Sequence, residues 1–184
     1  HVTLPQWMAA KGGWLNRRSA DWFRDYVKRV VAEFGDLCDR WIPLYEPMHG
    51  LVEGYQQGQW PPEPRSSRSL KRAMRNQLKA HGYAYTRIKE ARPDAQVGFS
   101  VRAGSCVPRN PYSAWDARVA LREARRINHG MLKGLMSRKG NVDFIGLSYF
   151  GRQTLSHRWQ SPKKSFVRYS HQKGRIVDCT ADAR

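Results

Sequence analysis

Trp41-Ile42-Pro43-Leu44-Tyr45-Glu46-Pro47 is a short apolar run that ends on one carboxylate followed at once by proline. Proline has no N–H to give a sheet ladder, so Pro47 marks where pairing stops and leaves Glu46 at the C-terminal edge of a strand. In (β/α) barrels that edge is where catalytic side chains are presented. A glutamate in an ordinary loop satisfies the same seven residues, so the surrounding chain has to decide between the two.

Upstream, a helix is expected from Ser19, taken as its cap, with Phe23, Tyr26, Val27, Val30, Val31 and Phe34 on one face and Gly35 as its stop. A strand from Cys38 or Asp39 to Leu44 then leads into Glu46. Residues 48 to 67 are expected to be a long loop, because Gly50, Gly54, Gly58, Pro61, Pro62 and Pro64 interrupt either regular structure. Downstream, a helix over roughly Ser69 to Ala91 turns Leu70, Met74, Leu78, Tyr85 and Ile88 inward. Arg92-Pro93-Asp94 ends it, and Gln96 to Val101 form a buried strand. Residues 102 to 113 are expected to be a second loop, Ala114 to Met136 a third helix, and Val142 to Phe150 a nearly continuous apolar strand, as in a parallel sheet covered on both faces.

The order is therefore helix and strand in alternation, with short turns before the strands and long loops after them. Such loops gather at one face of an α/β barrel, so His1, Tyr45, Glu46, Arg102, Ser148 and Phe150 are expected to line one rim. A complete barrel takes about 250 residues. The 184 residues here allow only part of one: α/β, a partial (β/α)8 TIM barrel over residues 1–152, with about strands three to six and their helices. Residues 153–184, with Lys163, Lys164, Arg168, Lys173 and Arg175 and few periodic apolar positions, are expected to be a basic, poorly ordered tail.

Composition sets the outer bounds. Seven Trp and eight Tyr in a chain that is 40% hydrophobic argue for a folded body. A balance of 33 Lys and Arg against 15 Asp and Glu gives a net charge of +18, a field that draws anions without selecting among them. Arg68, Arg72, Arg75 and Lys79 fall at helical spacing, which fits a solvated helix face, and no aromatics are interleaved as a nucleic-acid module would require. Cys38, Cys106 and Cys179 are far apart, odd in number and without a CxxC pair or a histidine at ligand spacing, so neither a disulfide framework nor a metal or other cofactor is expected. No run of about 18 apolar residues suggests a membrane span. The chain starts at His1-Val2-Thr3-Leu4-Pro5 without Met, as a strand cut in mid-course would. Targeting is thus undecided, with the cytoplasm favoured only by the lack of a visible leader.

With these motifs in order, the sequence resembles family 1 of the glycoside hydrolases, the β-glucosidase family. The family's Trp-x-Thr-x-Asn-Glu-Pro is matched by Trp41 to Pro47. Its His before Leu-Pro-Gln is matched by His1 to Gln6, its Gly-Gly-Trp turn by Gly12-Gly13-Trp14, and its Asp-Phe-Ile-Gly-Leu-Asn-Tyr-Tyr by Asp143 to Phe150. The resemblance implies retaining hydrolysis of a β-glycoside or oligosaccharide. Glu46 would be the acid/base and His1 a sugar-hydroxyl ligand, and Trp60 could support a sugar ring by stacking. That chemistry needs two carboxylates about 5 to 5.5 Å apart. No Thr-Glu-Asn-Gly segment carries the second one here.

Three positions depart from the family pattern. The amide beside the acid is Tyr45, the later Asn is Ser148, and the second Tyr is Phe150. Each change removes a polar contact from the sugar site. Two classes of function therefore stay open at this point. One is a glycosidase fragment that needs a complementary segment, with association through open barrel edges. The other is a non-catalytic sugar-binding, scaffold or anion-binding protein, the basic tail serving an anionic partner.

Overall fold

The computed structural model describes residues 4–62, 64–136 and 141–157. Helices α1 (Gln6–Ala10) and α2 (Ser19–Phe34) are joined through a single turn, Gly13–Leu15. A two-residue strand β1 (Arg40–Trp41) leads to the short helix α3 (Pro47–Leu51), which widens into a π-helical turn, Val52–Gln57. After α4 (Ser67–Ala91) come strand β2 (Gln96–Pro108), helix α5 (Ala114–Ala124), a second π-helical turn, Arg125–His129, helix α6 (Leu132–Met136) and strand β3 (Phe144–Leu155). The three strands form one sheet in the order β1-β2-β3, and β1 lies parallel to β2 with Arg40 opposite Gln96 and Trp41 opposite Val97. Sequential parallel strands with a helix in each crossover are the repeating unit of the barrel.

The chain divides into two compact units, one made of residues up to Arg102 with Asn128–Ser148, the other of Ala103–Ile127 with the chain from Tyr149 onward. In the first, α2 buries Phe23, Val27 and Val31, which recur every fourth residue and so share one side of the helix. They meet α4, whose Leu70, Ala73, Leu78, Ala84 and Ile88 are buried. Val97, Phe99 and Val101 of β2 complete this core. On the outer side of α4, Arg68, Arg72, Arg75 and Lys79 are exposed.

Asp143 shows what the Asp-Phe-Ile-Gly stretch does locally. Its Oδ2 accepts from the backbone N–H of Val97 at 2.8 Å and pairs with Lys89 at 2.8 Å, while its Oδ1 accepts from the Tyr85 hydroxyl at 2.9 Å. Partial burial works to raise its pKa, but these donors outweigh it and hold the carboxylate below its ordinary range. One residue on, the Phe144 ring packs onto Gly98 so closely that a β-carbon there would collide with it. In the second unit, Asp116 of α5 accepts from the backbone N–H groups of Asn110 and His157, and the Arg109 N–H donates to the Leu155 carbonyl.

Several boundaries differ from the sequence expectation for identifiable reasons. Ser19 begins α2 but does not cap it: Arg18 precedes the first turn and the Ser19 hydroxyl is buried without a hydrogen-bond partner among the described residues. The strand before Glu46 ends at Trp41, because Pro43 cannot donate to a ladder. Part of the 48–67 loop is helical, since Pro47 is preset for the first turn of a helix and its missing N–H costs nothing there. Strand β2 runs on to Pro108 and β3 to Leu155. The third helix is broken, with a π-helical turn and Gly130 separating α5 from α6. Most of the basic segment expected over 153–184 lies outside the described residues. Among the described residues no helix is long and apolar enough to cross a membrane, and no group of three metal-ligating side chains occurs.

Candidate active site

Leu44 is wholly buried and anchors the segment that delivers Glu46. At Glu46 the backbone turns sharply, with φ 40° and ψ 49°, in the left-handed region that non-glycine residues avoid. A residue held there costs roughly 1–3 kcal/mol. The turn places Glu46 immediately before α3, where its carbonyl accepts from the His49 N–H at 3.0 Å. Its side chain is turned inward, leaving the residue only 6% exposed, and the Oε1 oxygen has no hydrogen-bond partner among the described residues. A buried carboxylate oxygen without a donor is unfavourable for the folded chain.

Around it α3 and the π-helical turn bring two side chains that the sequence had not marked. His49 is half-buried, and its Nδ1 stands 3.8 Å from Oε1 of the buried Glu53. The Trp60 ring meets the imidazole edge-on, at 5.3 Å between centroids and 79° between planes. Burial and then the Arg102 guanidinium hold the His49 pKa below its ordinary value, while the Glu46 carboxylate pulls it upward. Glu46, His49, Glu53, Trp60 and Arg102 thus form one neighbourhood in the first unit. Its signal in the sequence is the i, i+4 spacing of His49 and Glu53 just after Glu46, which puts those two side chains on one flank of a helix. That signal was hidden by reading 48–67 as a loop.

A second contact fixes this neighbourhood from below. The Tyr55 hydroxyl, buried in the π-helical turn, accepts from the backbone N–H of Trp14 at 2.7 Å and occupies the space a β-carbon on Gly13 would need. Gly13 also has a positive φ of 55°, so the Gly12-Gly13-Trp14 turn requires glycine for both space and backbone. Burial pushes the Tyr55 pKa up to about 12.

Of the other expected site residues, Tyr45 is 45% and Trp60 38% exposed. Ser148 is half-buried in β3, and Phe150 lies in the same strand with its side chain outside what the structure describes. His1 lies outside the described residues. The structure therefore brings Arg102 and Trp60 into the Glu46 neighbourhood through His49.

A partial parallel barrel that presents a buried glutamate just beyond its strand defines the class as a glycosidase-type (β/α) barrel. The chain belongs to glycosyl hydrolase family 1, whose model matches residues 1–141. It is similar to β-glucosidase A of Thermotoga maritima, with 30% identity over 91% of this chain and 43% of that protein. It is also similar to a chloroplastic galactolipid galactosyltransferase of Arabidopsis thaliana, with 25% identity over 84% of this chain and 26% of the relative. The solved structure of the family 1 β-glucosidase from Thermotoga maritima superposes with a TM-score of 0.76 at 25% identity, covering 89% of this chain and 43% of that one. The chain thus spans less than half the length of these relatives, and its three-stranded sheet is a fragment of their barrel.

Proposed function

We propose that the chain supplies the acid/base half of a retaining β-glycosidase site, with Glu46 as the proton donor to the leaving oxygen. The observation that carries this is the buried Glu46 carboxylate, held beyond β1 with one oxygen that has no hydrogen-bond partner among the described residues. Retaining hydrolysis needs a second carboxylate to attack the anomeric carbon and form the glycosyl-enzyme. A complementary barrel segment is the source proposed for it, joining through the open edges of the sheet. In the first step Glu46 protonates the departing oxygen, and in the second it takes a proton from the incoming water. Trp60 stacks on the sugar ring, and Tyr45 stands where the family has a polar amide. The reaction as proposed uses no metal or cofactor.

The test pairs the chain with the following barrel segment of the Thermotoga maritima relative and measures turnover of β-glucosides. Substrates whose leaving groups need protonation should lose about 10²-fold or more in kcat/KM in Glu46→Gln, and those with strongly acidic leaving groups much less. Equal loss, or none, on both substrates would remove Glu46 as the acid.

Tyr45 favours a second reading, in which the chain retains sugar binding alone. A half-exposed phenol beside the acid offers a stacking surface in place of a hydrogen-bonding amide. Calorimetric titration of the chain with cello-oligosaccharides decides for that reading if binding is measurable, is lost in Tyr45→Ala, and no turnover accompanies complementation.

A further inference from the structure

The outer side of α4 carries a charge pattern that the acid/base reading does not use. Arg68, Lys71, Arg72, Arg75 and Lys79 are all exposed, and at about 100° per residue they share an arc of roughly 100° on the helix. The only carboxylate of α4, Glu90, lies near its far end and pairs with Arg87. Among the described residues none of the cations on the arc makes an ion pair, whereas Arg24, Arg87, Lys89, Arg92 and Arg126 each do. Arg68 faces Lys71 and Arg72, both of these face Arg75, and Arg75 faces Lys79, so neighbours along the arc repel one another. Nor does the first turn hold an acidic residue to balance the positive end of the helix dipole. An ordinary solvated helix intersperses the two signs of charge; this row weakens α4 unless a negative charge lies against it. Asn76 Nδ2 donates to the Trp14 and Asn16 carbonyls at 2.7 and 3.3 Å, which fastens the turn carrying the exposed Arg17 and Arg18 beside the middle of the row.

We propose that this face of α4 docks the phosphate backbone of double-stranded nucleic acid, independently of the glycosidase reading. From Arg68 to Lys79 the row runs about 16 Å, and a duplex, with one negative charge per about 1.7 Å of axis, sets on the order of ten phosphates against that length. Most of the row is arginine, whose guanidinium can meet two phosphate oxygens at once. The surroundings argue against two other anionic surfaces. A single strand is held by stacking its bases on open aromatic rings. Tyr83, the ring next along the helix, is already engaged by Lys79 at 5.2 Å and by Arg24 at 5.8 Å. An anionic membrane is held by apolar side chains inserted below the charges. On α4 those side chains, Leu70, Leu78 and Ile88, are buried in the core instead. Contacts to the backbone alone carry no sequence information, so the binding is without sequence preference.

The test titrates the full chain against a short fluorescently labelled DNA duplex over a range of salt. Replacing Arg68, Lys71, Arg72, Arg75 and Lys79 together by Gln, a residue of similar helix propensity, should weaken binding by about 10²-fold at low salt. The slope of log Kd against log salt should fall by about four, at ~0.9 for each phosphate no longer neutralised. A control with Gln at the exposed Lys28, Arg29, Arg122, Arg125 and Lys133 removes the same net charge and should lower the slope by about one at most. Equal losses in the two variants would reduce the effect to net charge and overturn the proposal. Arg75→Glu turns repulsions into i, i+4 attractions with Lys71 and Lys79, so it should raise the thermal midpoint while weakening duplex binding about tenfold. A lower midpoint would show that the row does not repel itself and would overturn the proposal without the multiple variant. Duplex should raise the midpoint of the unaltered chain and leave that of the Gln variant in place. Tighter binding of the single strand would end the assignment. So would a Gln variant that loses binding to heparin or phosphatidylserine vesicles but keeps its binding to duplex.

Discussion

Glu46 combines two features that each weaken the fold, a left-handed backbone at a non-glycine residue and a buried carboxylate oxygen without a hydrogen-bond donor among the described residues. Neither helps α3 form, since the Glu46 side chain does not cap the helix it precedes. Strain concentrated on the residue that carries the proposed chemistry is the usual pattern of a site maintained against stability. Relieving it should therefore stabilise the chain while removing the acid. Glu46→Gly accepts the positive φ without a β-carbon and buries no carboxylate. It should raise the urea unfolding free energy by about 1 kcal/mol or more relative to Glu46→Ala, which keeps the backbone strain. Equal midpoints for the two variants would mean that the left-handed turn carries no strain. The contrast with Gly13 is instructive, because there the positive φ already falls on glycine and the adjoining space is filled by Tyr55.

At the scale of elements, α4 carries a further buried titratable group. His81 is fully buried, its Nε2–H donates to the Asn141 carbonyl at 2.8 Å, its Nδ1 has no partner among the described residues, and its ring stands edge-on to Phe99 at 5.1 Å. Burial pushes its pKa down, only partly offset by the bond to Asn141. The folded chain therefore binds this proton less tightly than the unfolded one. The stabilising contribution is fully present above the unfolded value of about 6.5 and is lost as pH falls through it toward the folded value. Denaturant midpoints should drop between pH 7 and pH 5, and His81→Gln should flatten that slope; a slope unchanged by the substitution would place its origin elsewhere. This packing was legible in the sequence only in part. The periodicity of Phe23, Val27 and Val31, and of Leu70, Leu78 and Ile88, predicts α2 and α4 closely because one buried face fixes a helix whatever its partners. The helix after Glu46 was not legible, because its glycines and prolines signal a loop by local propensity, whereas Tyr55 and Glu53 are held by tertiary burial. Strands β2 and β3 run longer than expected for a related reason: backbone pairing extends past the last apolar residue wherever a neighbouring strand supplies hydrogen-bond partners. His49 and Glu53 were missed as site residues with that helix, while Glu46 was found because Pro47 marks its place without tertiary information.

For the whole molecule, the decisive fact is that, among the described residues, a parallel sheet has β1 and β3 as its outer strands, in a family whose barrel closes on itself. A closed barrel has no edges, but a fragment of one exposes unpaired backbone groups along both outer strands. Strand β3 adds an apolar side to its edge, with Ile145 at 51% and Leu147 at 70% exposure alternating with half-buried Phe144 and Gly146. Alternation of this kind belongs to a strand covered on one side only. The net charge of +18 opposes association at low salt, so the two effects can be separated by ionic strength. Isolated chain at micromolar concentration should sediment as oligomers, increasingly so as added salt screens the repulsion. Ile145→Lys and Leu147→Lys should return it toward monomer, because a charge on the uncovered side penalises another chain pairing there. Addition of the complementary barrel segment should have the same effect as the lysines while restoring a cooperative melt, since it covers both edges at once. A monodisperse, cooperatively melting monomer in high salt would show instead that these edges do not recruit a partner, and with it the proposal that a second segment completes the site through them would fall.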